Sequence, residues 1–141
     1  MIGKLQTNKV KYAVKLFDYI HSVDSEKIAK KIADEQLKIN KKIKIFLQVN
    51  IGDEDQKSGI KKNDIDKLIS YCREINLDLI GLMCIPPSNI DPEDYFREMK
   101  QLNKNFNFKE LSMGMSSDYI KAAKNLSTYV RIGSSIFGQR F

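Results

Sequence analysis

Apolar runs of strand length alternate with amphipathic helical stretches along this sequence, and that alternation constrains the fold more than any other feature. The runs that predict strands span residues 16–23, 43–51, 77–85, 108–113 and 129–132. The stretches with helical spacing span residues 25–37, 61–75, 92–106 and 117–125. Near-continuous apolar strands that alternate with helices are typical of a parallel sheet buried on both faces. The sequence therefore predicts an α/β fold, either doubly wound or a barrel.

Three helix starts are marked by residues that accept hydrogen bonds from free backbone amides. Ser25, or Asp24 before it, precedes the first helical stretch, Asn63 precedes the second, and Asp91 stands before Pro92 at the third. These signals fix the predicted boundaries more closely than periodicity alone.

Length and composition predict one soluble domain over residues 1–141. The chain is 42% hydrophobic, and no apolar run approaches the 18 residues of a membrane span. No charged-then-apolar start resembles a signal peptide, so the cytoplasm is the expected location and no membrane is expected as a partner. Cys72 and Cys84 have neither a CxxC spacing nor further cysteines, so we expect no metal site and no disulfide.

The net charge of +6 lies entirely in the first third of the chain. Residues 1–44 hold 11 lysines against 5 acidic residues, whereas the remainder holds 13 basic and 13 acidic residues. A nucleic-acid interface would interleave such charge with stacking aromatics or mount it on a known motif, and neither is present. The excess predicts solvated helix faces and no nucleic-acid partner.

Four strand ends run into polar or glycine-containing segments, and ligands bind at the carboxyl ends of strands in both predicted architectures. These segments begin at Asn50, Met83, Ser112 and Gly133. The last two break into glycine and serine, a pattern that exposes the backbone N–H groups that bind phosphate. Ordinary turn glycines and helix caps would explain the same pattern, so the residues alone leave both interpretations open.

Five motifs in order along the chain resemble those of one known family. They are residues 2–9 (IGKLQTNK), 50–54 (NIGDE) with 57–59 (KSG), 81–86 (GLMCIP), 112–118 (SMGMSSD) and 130–138 (VRIGSSIFG). Together they resemble the YggS/PROSC family of pyridoxal phosphate homeostasis proteins, over the whole 141 residues. The last two motifs are the most specific.

The resemblance implies a (β/α)8 TIM barrel like the N-terminal domain of alanine racemase. In that family pyridoxal 5′-phosphate (PLP) is held as a Schiff base on a lysine at the end of the first strand, and that lysine has no counterpart here. The match begins inside the third strand, so we expect a partial barrel that lacks the first two strands and most of the third. Uncovered strand edges and an uncovered interior would then favour self-association or a complementing N-terminal segment.

The same resemblance implies that Ser116, Ser117, Gly133 and Ser134 hold the PLP phosphate. The family more often has Thr at the position of Ser134, and Ser keeps the hydroxyl. Gly133 would let the backbone approach, because a side chain there would crowd the phosphate.

Arg131 would face the pyridine nitrogen, where a guanidinium donates to a neutral ring nitrogen and leaves PLP a poor electron sink. Its alternative role is a surface salt-bridge partner. Asn50 and Met83 would line the ring pocket, although Asn is also common in turns and Met in cores. His21, the only histidine, lies in a strand run and is expected to be a core or rim residue rather than a catalytic base.

Three functions fit these observations. We favour a non-catalytic PLP-binding protein of PLP homeostasis that lacks the Schiff-base lysine. The first alternative is a PLP-dependent enzyme of the racemase type, which lacks a Tyr or Cys that can be placed as a second acid/base. The second alternative is an inactive barrel fragment.

Overall fold

The computed structural model describes residues 1–138, in which five parallel strands alternate with helices. The strands are β1 (Tyr19–Val23), β2 (Lys44–Val49), β3 (Asp78–Cys84), β4 (Glu110–Met115) and β5 (Tyr129–Arg131). The helices are α1 (Val10–Leu16), α2 (Glu26–Lys38), α3 (Ile65–Glu74), α4 (Glu93–Asn105), α5 (Tyr119–Lys124) and α6 (Ser134–Phe137), with 3-10 turns at Thr7–Lys9 and Lys62–Asp64. Each strand pairs with the next one along the chain, so the sheet has the order β1-β2-β3-β4-β5. The sheet is a curled half-barrel, which confirms the predicted partial α/β barrel.

The predicted strands and helices are all present, but the structure also has two helices that the sequence did not predict, α1 and α6. The first predicted strand began at residue 16, but Leu16 ends α1, a helix that the apolar pattern did not separate from the strand that follows. Ser25 caps α2 as predicted, because its Oγ accepts from the amide of Ile28 at 3.4 Å. Asn63 lies inside a 3-10 turn instead of capping a helix, so that prediction was wrong.

The face of the sheet that packs against the helices is aliphatic. Strand residues Leu47, Val49, Leu82 and Leu111 belong to one buried hydrophobic cluster. The helices contribute its other half through Ile28, Ile32, Leu68, Ile69, Phe96 and Met99. Each fully buried side chain of this size contributes roughly 1.5–3 kcal/mol relative to exposure. This layer holds most of the apolar burial of the described residues.

The opposite face lines the inside of the curl. Phe46 and Met83 are completely buried there, apart from the aliphatic cluster. β1 and β5 are the edge strands, yet the ring centroids of Tyr19 and Tyr129 lie 5.8 Å apart, and those of His21 and Tyr129 lie 5.5 Å apart. The sheet therefore curls until inward side chains of its two edges meet. The expectation of an uncovered apolar interior was wrong for these residues, because the curl is filled by its own side chains.

The outer edge of β1 is partly paired by the start of the chain. The backbone nitrogen of Met1 donates to the carbonyl of Tyr19 at 2.6 Å, and the amide of His21 donates to the carbonyl of Met1 at 2.9 Å. The Ser22 hydroxyl donates to the carbonyl of Gly3 at 2.6 Å. Residues 1–3 therefore lie alongside β1 as a short parallel segment.

Gly114 in β4 is required by both backbone geometry and space. Its φ is +93°, a value that residues with a side chain rarely adopt, and a Cβ there would lie 2.5 Å from the Cβ of Ala122 in α5. Gly114 therefore sets how closely α5 packs behind the end of β4. Among residues 1–138, no helix is both long enough and apolar enough to cross a membrane.

Candidate functional site

The loops after β4 and β5 enclose a cleft of about 500 Å3 at the carboxyl ends of the strands. Five of the seven predicted site residues line it: Ser116, Ser117, Arg131, Gly133 and Ser134. The cleft wall also includes Ile2, Met115, Ile132, Phe137 and Gly138. The structure thus brings together the two Gly/Ser segments that the sequence places 17 residues apart, from Ser116 to Gly133.

Ser116 joins the two loops through its hydroxyl. Its Oγ accepts from the amide of Gly133 at 3.2 Å and from the amide of Ser135 at 3.3 Å. A hydroxyl that accepts two hydrogen bonds keeps its own hydrogen for a further acceptor. The cleft therefore offers the Ser116 hydroxyl as a donor that suits a phosphate oxygen, while the amides of Gly133 and Ser135 converge on the oxygen of the same hydroxyl.

Gly133 leaves open space in the cleft wall. A Cβ added to this residue would meet no heavy atom within 4 Å. Its φ of −124° lies outside the left-handed region that favours glycine. The open space beside the amide is what an incoming phosphate group would need.

Asp118 fixes the loop that presents Ser116 and Ser117. Its Oδ1 accepts from the amide of Met115 at 2.6 Å, and its own amide donates to the carbonyl of Met115 at 3.1 Å. Asp118 closes the motif of residues 112–118, and the family resemblance implied no role for it. An Asp three residues after a strand end is a common signal for such a side-chain-capped turn.

Arg131 is buried, with only 7% of its surface exposed, at the base of the cleft. Its Nη1 donates to Ser112 Oγ and its Nη2 to the carbonyl of Cys84, both at 2.8 Å. Within residues 1–138, no carboxylate oxygen lies within 4.0 Å of the guanidinium. Burial lowers the pKa of Arg131, but a guanidinium in a protein stays protonated. The surface salt-bridge role is therefore excluded for the described residues.

A second cleft of about 460 Å3 adjoins the first one. It lies between the end of β4 and the loop of residues 85–90, and Met115, Ser117 and Arg131 line both clefts. Asp118 lines only this second cleft. The guanidinium thus stands at the junction of two open volumes.

Asn50 and Met83, the other two predicted site residues, line neither cleft. Both polar groups of Asn50 bond to the backbone of Glu54, donating to its carbonyl at 2.8 Å and accepting from its amide at 3.1 Å. Met83 is fully buried on the inner face, in register between Gln48 and Ser112. The turn role fits Asn50 and the core role fits Met83, while their contact with a ring stays a prediction.

His21 lies deeper on the same inner face and is 6% exposed, which confirms its predicted place in the core. Its ring stacks on Phe46 with centroids 4.3 Å apart, and Nδ1 lies 2.8 Å from Ser112 Oγ. Burial, together with the positive charges of the amino terminus and Arg131, lowers its pKa from 6.5 to about 4. The imidazole is therefore neutral at physiological pH.

Comparison with known proteins places this site in a known fold. The family model described as "Alanine racemase, N-terminal domain" matches residues 1–140. The chain is 39% identical over 149 residues to the pyridoxal phosphate homeostasis protein of Aquifex aeolicus and 35% identical over 148 residues to that of Escherichia coli K12. These matches cover 99% of this chain, but 65% and 63% of the two relatives.

A solved structure supports the same assignment. PipY of Synechococcus elongatus PCC7942, determined with PLP bound, superposes with a TM-score of 0.89 at 30% identity. The match covers 96% of this chain and 68% of PipY. The chain therefore spans about two thirds of the length of the proteins that it resembles.

Proposed function

Because this chain belongs to the pyridoxal phosphate homeostasis family, with the fold of the alanine racemase N-terminal domain, we propose that it binds PLP in the cleft between the β4 and β5 loops. One observation carries the proposal: a buried guanidinium lies at the base of a cleft whose wall is built from serine hydroxyls and backbone amides. Such a cleft offers both a phosphate cradle and a fixed donor for a second acceptor on the same ligand.

The phosphate would be held by Ser116, Ser117, Gly133 and Ser134. Ser116 already gathers the amides of Gly133 and Ser135 and keeps a hydroxyl hydrogen to donate. The open space beside Gly133 would take the phosphate oxygens. Asp118 supports the arrangement from behind by fixing the turn that carries the two serines.

Arg131 would donate to the ring nitrogen of PLP. When bound, PLP supplies a reactive aldehyde on a ring that withdraws electrons most strongly when its nitrogen is protonated. A guanidinium is a permanent donor and cannot accept or deliver that proton, so it holds the ring nitrogen neutral. This property disfavours electron-sink chemistry such as transamination.

The role proposed for the whole protein, PLP homeostasis, is taken from the names of the relatives of this chain. Since the chain spans about 65% of the curated relatives, we propose that it contributes the phosphate half of a PLP homeostasis protein. A complementing N-terminal segment or a second copy would pair at the β1 and β5 edges of the sheet, where residues 1–3 already pair with part of β1. The cytoplasm is the proposed location, because Cys72 and Cys84 are free thiols, as expected in a reducing compartment.

Titration calorimetry with pyridoxine 5′-phosphate tests the proposal. This probe keeps the phosphate and ring nitrogen of PLP but has no aldehyde, so the 20 lysines of the chain cannot react with it. We expect binding that falls at least about tenfold in Ser116→Ala, which removes a charge-assisted hydrogen bond, and in Gly133→Val, which fills the open space beside the amide. Ser70→Ala, an exposed serine on α3, is the matched control.

Two outcomes would contradict the proposed site. Equal affinity for pyridoxine and pyridoxine 5′-phosphate would mean that no phosphate cradle operates. Equal losses in Ser116→Ala and Ser70→Ala would mean that the ligand binds elsewhere on the chain.

A further inference from the structure

Arg131 has its position set by a buried chain of hydrogen bonds that reaches across the curl to β1. Ser112 on β4 stands between Arg131 on β5 and His21 on β1, with hydrogen bonds of 2.8 Å on each side. We call these three residues the inner network. All three are at least 93% buried, and the bond between His21 and Ser112 joins residues 91 positions apart in sequence.

The donors and acceptors of the inner network allow one placement of the shared hydrogen atoms. Arg131 can only donate, so Ser112 Oγ is the acceptor in that bond. The hydroxyl hydrogen of Ser112 then has His21 Nδ1 as its acceptor within the network. His21 must therefore be neutral with its proton on Nε2, because a proton on Nδ1 would leave the Ser112 hydroxyl hydrogen without a partner inside a buried site.

We propose that His21 is a positioning residue for ligand binding: by accepting from Ser112 it orients the hydroxyl oxygen that holds the Arg131 guanidinium toward the cleft. This proposal deepens the proposed function, because it concerns the residue that would meet the ring nitrogen of PLP. His21 itself lines neither cleft, so it acts only through Ser112 and Arg131.

Packing holds the imidazole where this role requires it. The ring stacks on Phe46 at 4.3 Å with an interplanar angle of 26°, and Tyr129 meets its edge at 72°. Its backbone amide is tied to Met1, so the strand segment that carries it cannot slide freely. A single rotamer therefore presents Nδ1 to Ser112.

Two hydrogen bonds hold the Arg131 guanidinium, and His21 orients the acceptor of one of them, Ser112 Oγ. The second bond, from Nη2 to the carbonyl of Cys84, fixes one end of the planar fork. Without an oriented Ser112 oxygen, the fork can rotate about that single bond. Its remaining N–H donors would then lose their direction toward the cleft.

A pair of substitutions separates the hydrogen bond from the packing. His21→Phe keeps an aromatic ring against Phe46 but removes the acceptor, whereas His21→Asn places a carbonyl oxygen near the position of Nδ1 and sacrifices the ring. We expect His21→Phe to weaken binding of pyridoxine 5′-phosphate by about tenfold and that of inorganic phosphate by less than about twofold. We expect His21→Asn to keep more affinity than His21→Phe, although it packs less well.

Nuclear magnetic resonance gives a second readout that does not depend on any ligand. His21 is the only histidine, so its ring nitrogens are assigned without ambiguity, and we expect the Nε2–H form at pH 7. The Nη signals of Arg131 should be resolved and slowly exchanging in the unchanged chain. They should average in His21→Phe and in Ser112→Ala.

The outcomes distinguish this proposal from the proposed function. If pyridoxine 5′-phosphate fails to bind the unchanged chain while Arg131 loses its fixed Nη signals in His21→Phe, the PLP site fails, whereas the orientation of the Arg131 guanidinium by His21 stands. If the ligand binds equally to the unchanged chain and to His21→Phe, the positioning role is overturned and the PLP site stands. An Nδ1–H form of His21 at pH 7 would also overturn the positioning role.

Discussion

The two faces of the sheet are made from alternate residues of the same strands, and they differ in chemistry. On β2, Leu47 and Val49 enter the aliphatic cluster under the helices, whereas Phe46 and Gln48 point into the curl. The described polar residues of the inner face include His21, Ser112 and Arg131, and all three are buried. The outer face has the composition of a stabilising core. The inner face carries polar groups whose burial is costly unless they are hydrogen-bonded.

Stability and ligand binding depend on different faces of the sheet. Buried apolar area on the outer face contributes stability directly, in proportion to the surface removed from water. A buried guanidinium on the inner face loses hydration, and within residues 1–138 hydrogen bonds to Ser112 Oγ and to the carbonyl of Cys84 replace part of it. We therefore expect substitutions on the outer face to change the free energy of unfolding, and substitutions on the inner face to change ligand binding as well.

Truncation of two buried phenylalanines, one on each face of the sheet, tests this difference most strongly. Phe96 in α4 and Phe46 in β2 are both fully buried, one on each side of the sheet. Truncation of either to Ala should lower the free energy of unfolding by about 3–5 kcal/mol, measured by urea denaturation. Only Phe46→Ala should also shift the ring signals of His21, because Phe46 stacks on that imidazole.

The milder pair Phe96→Leu and Phe46→Leu serves if an Ala variant does not fold. A shift of the His21 signals in the Phe96 variant, and none in the Phe46 variant, would show that the two faces are not independent.

The pH dependence of the free energy of unfolding tests the burial of His21 on the inner face. The pKa of His21 is lowered to about 4 in the folded chain from 6.5, so the unfolded chain binds the extra proton between these values. The stabilising contribution is fully present above pH 6.5 and is lost as the pH falls toward 4. Its slope is at most about 1.4 kcal/mol per pH unit.

His21→Phe isolates this contribution, because Phe does not titrate. Urea denaturation at several pH values between 4 and 7.5 should show a steeper loss in the unchanged chain than in the variant. Parallel curves for the two proteins would mean that His21 titrates normally when folded and is not buried as described.

Substitution of Gly114, at the end of β4, has the next largest expected effect on the free energy of unfolding. This residue lies where the helix-facing side of the sheet meets the candidate site. Gly114→Ala should lower the free energy of unfolding by about 2 kcal/mol, since the φ of +93° disfavours a side chain and a Cβ would press on Ala122. We expect ligand affinity to fall too, because the loop carrying Ser116 follows directly. Gly3→Ala is the control, because a Cβ at Gly3 would meet nothing within 4 Å. Equal melting temperatures for the two variants would contradict this role of Gly114.

The fold could be predicted because it rests on periodicity, which is a local property of the sequence. Each strand run and each amphipathic helix carries its own pattern, and parallel order follows from their alternation. α1 was missed because Val10, Ala13 and Val14 bury one face of a helix only seven residues long, immediately before an apolar strand. A short apolar run of that kind does not distinguish helix from strand.

The site could be predicted only in part, because its geometry depends on the curl of the sheet. The Gly/Ser segments pointed to the cleft only together with the family resemblance, because turns and helix caps use the same residue types. No local pattern links Ser112 to His21, because their contact exists only where β1 curls back toward β4. The side chain of Asn50 was ambiguous for a similar reason: whether it faces a ring or closes a turn is decided by the path of the loop to Glu54.

Four helices end in the same hydrogen-bonded turn, and one of them differs in a way that the sequence alone would not reveal. After α2, α3, α4 and α5 the residue in the left-handed region is Asn40, Asn76, Asn107 and Leu126, respectively. Each donates to a carbonyl three residues back, and the next residue donates to a carbonyl five residues back. This pattern is the Schellman motif, whose left-handed position favours Gly or Asn. Leu is poorly suited to a φ of +66°.

Leu126→Asn should therefore raise the free energy of unfolding by about 0.5–1 kcal/mol, because it relieves the strain at the end of α5 and matches the other three helices. Leu126 is 63% exposed, so little buried apolar area is lost. Leu37→Asn is the control: Leu37 is 77% exposed but lies within α2, where Asn is a poorer helix former. Thermal denaturation should show a higher midpoint for the first variant and a lower one for the second. An increase in both would trace the gain to removal of an exposed leucine and not to backbone strain.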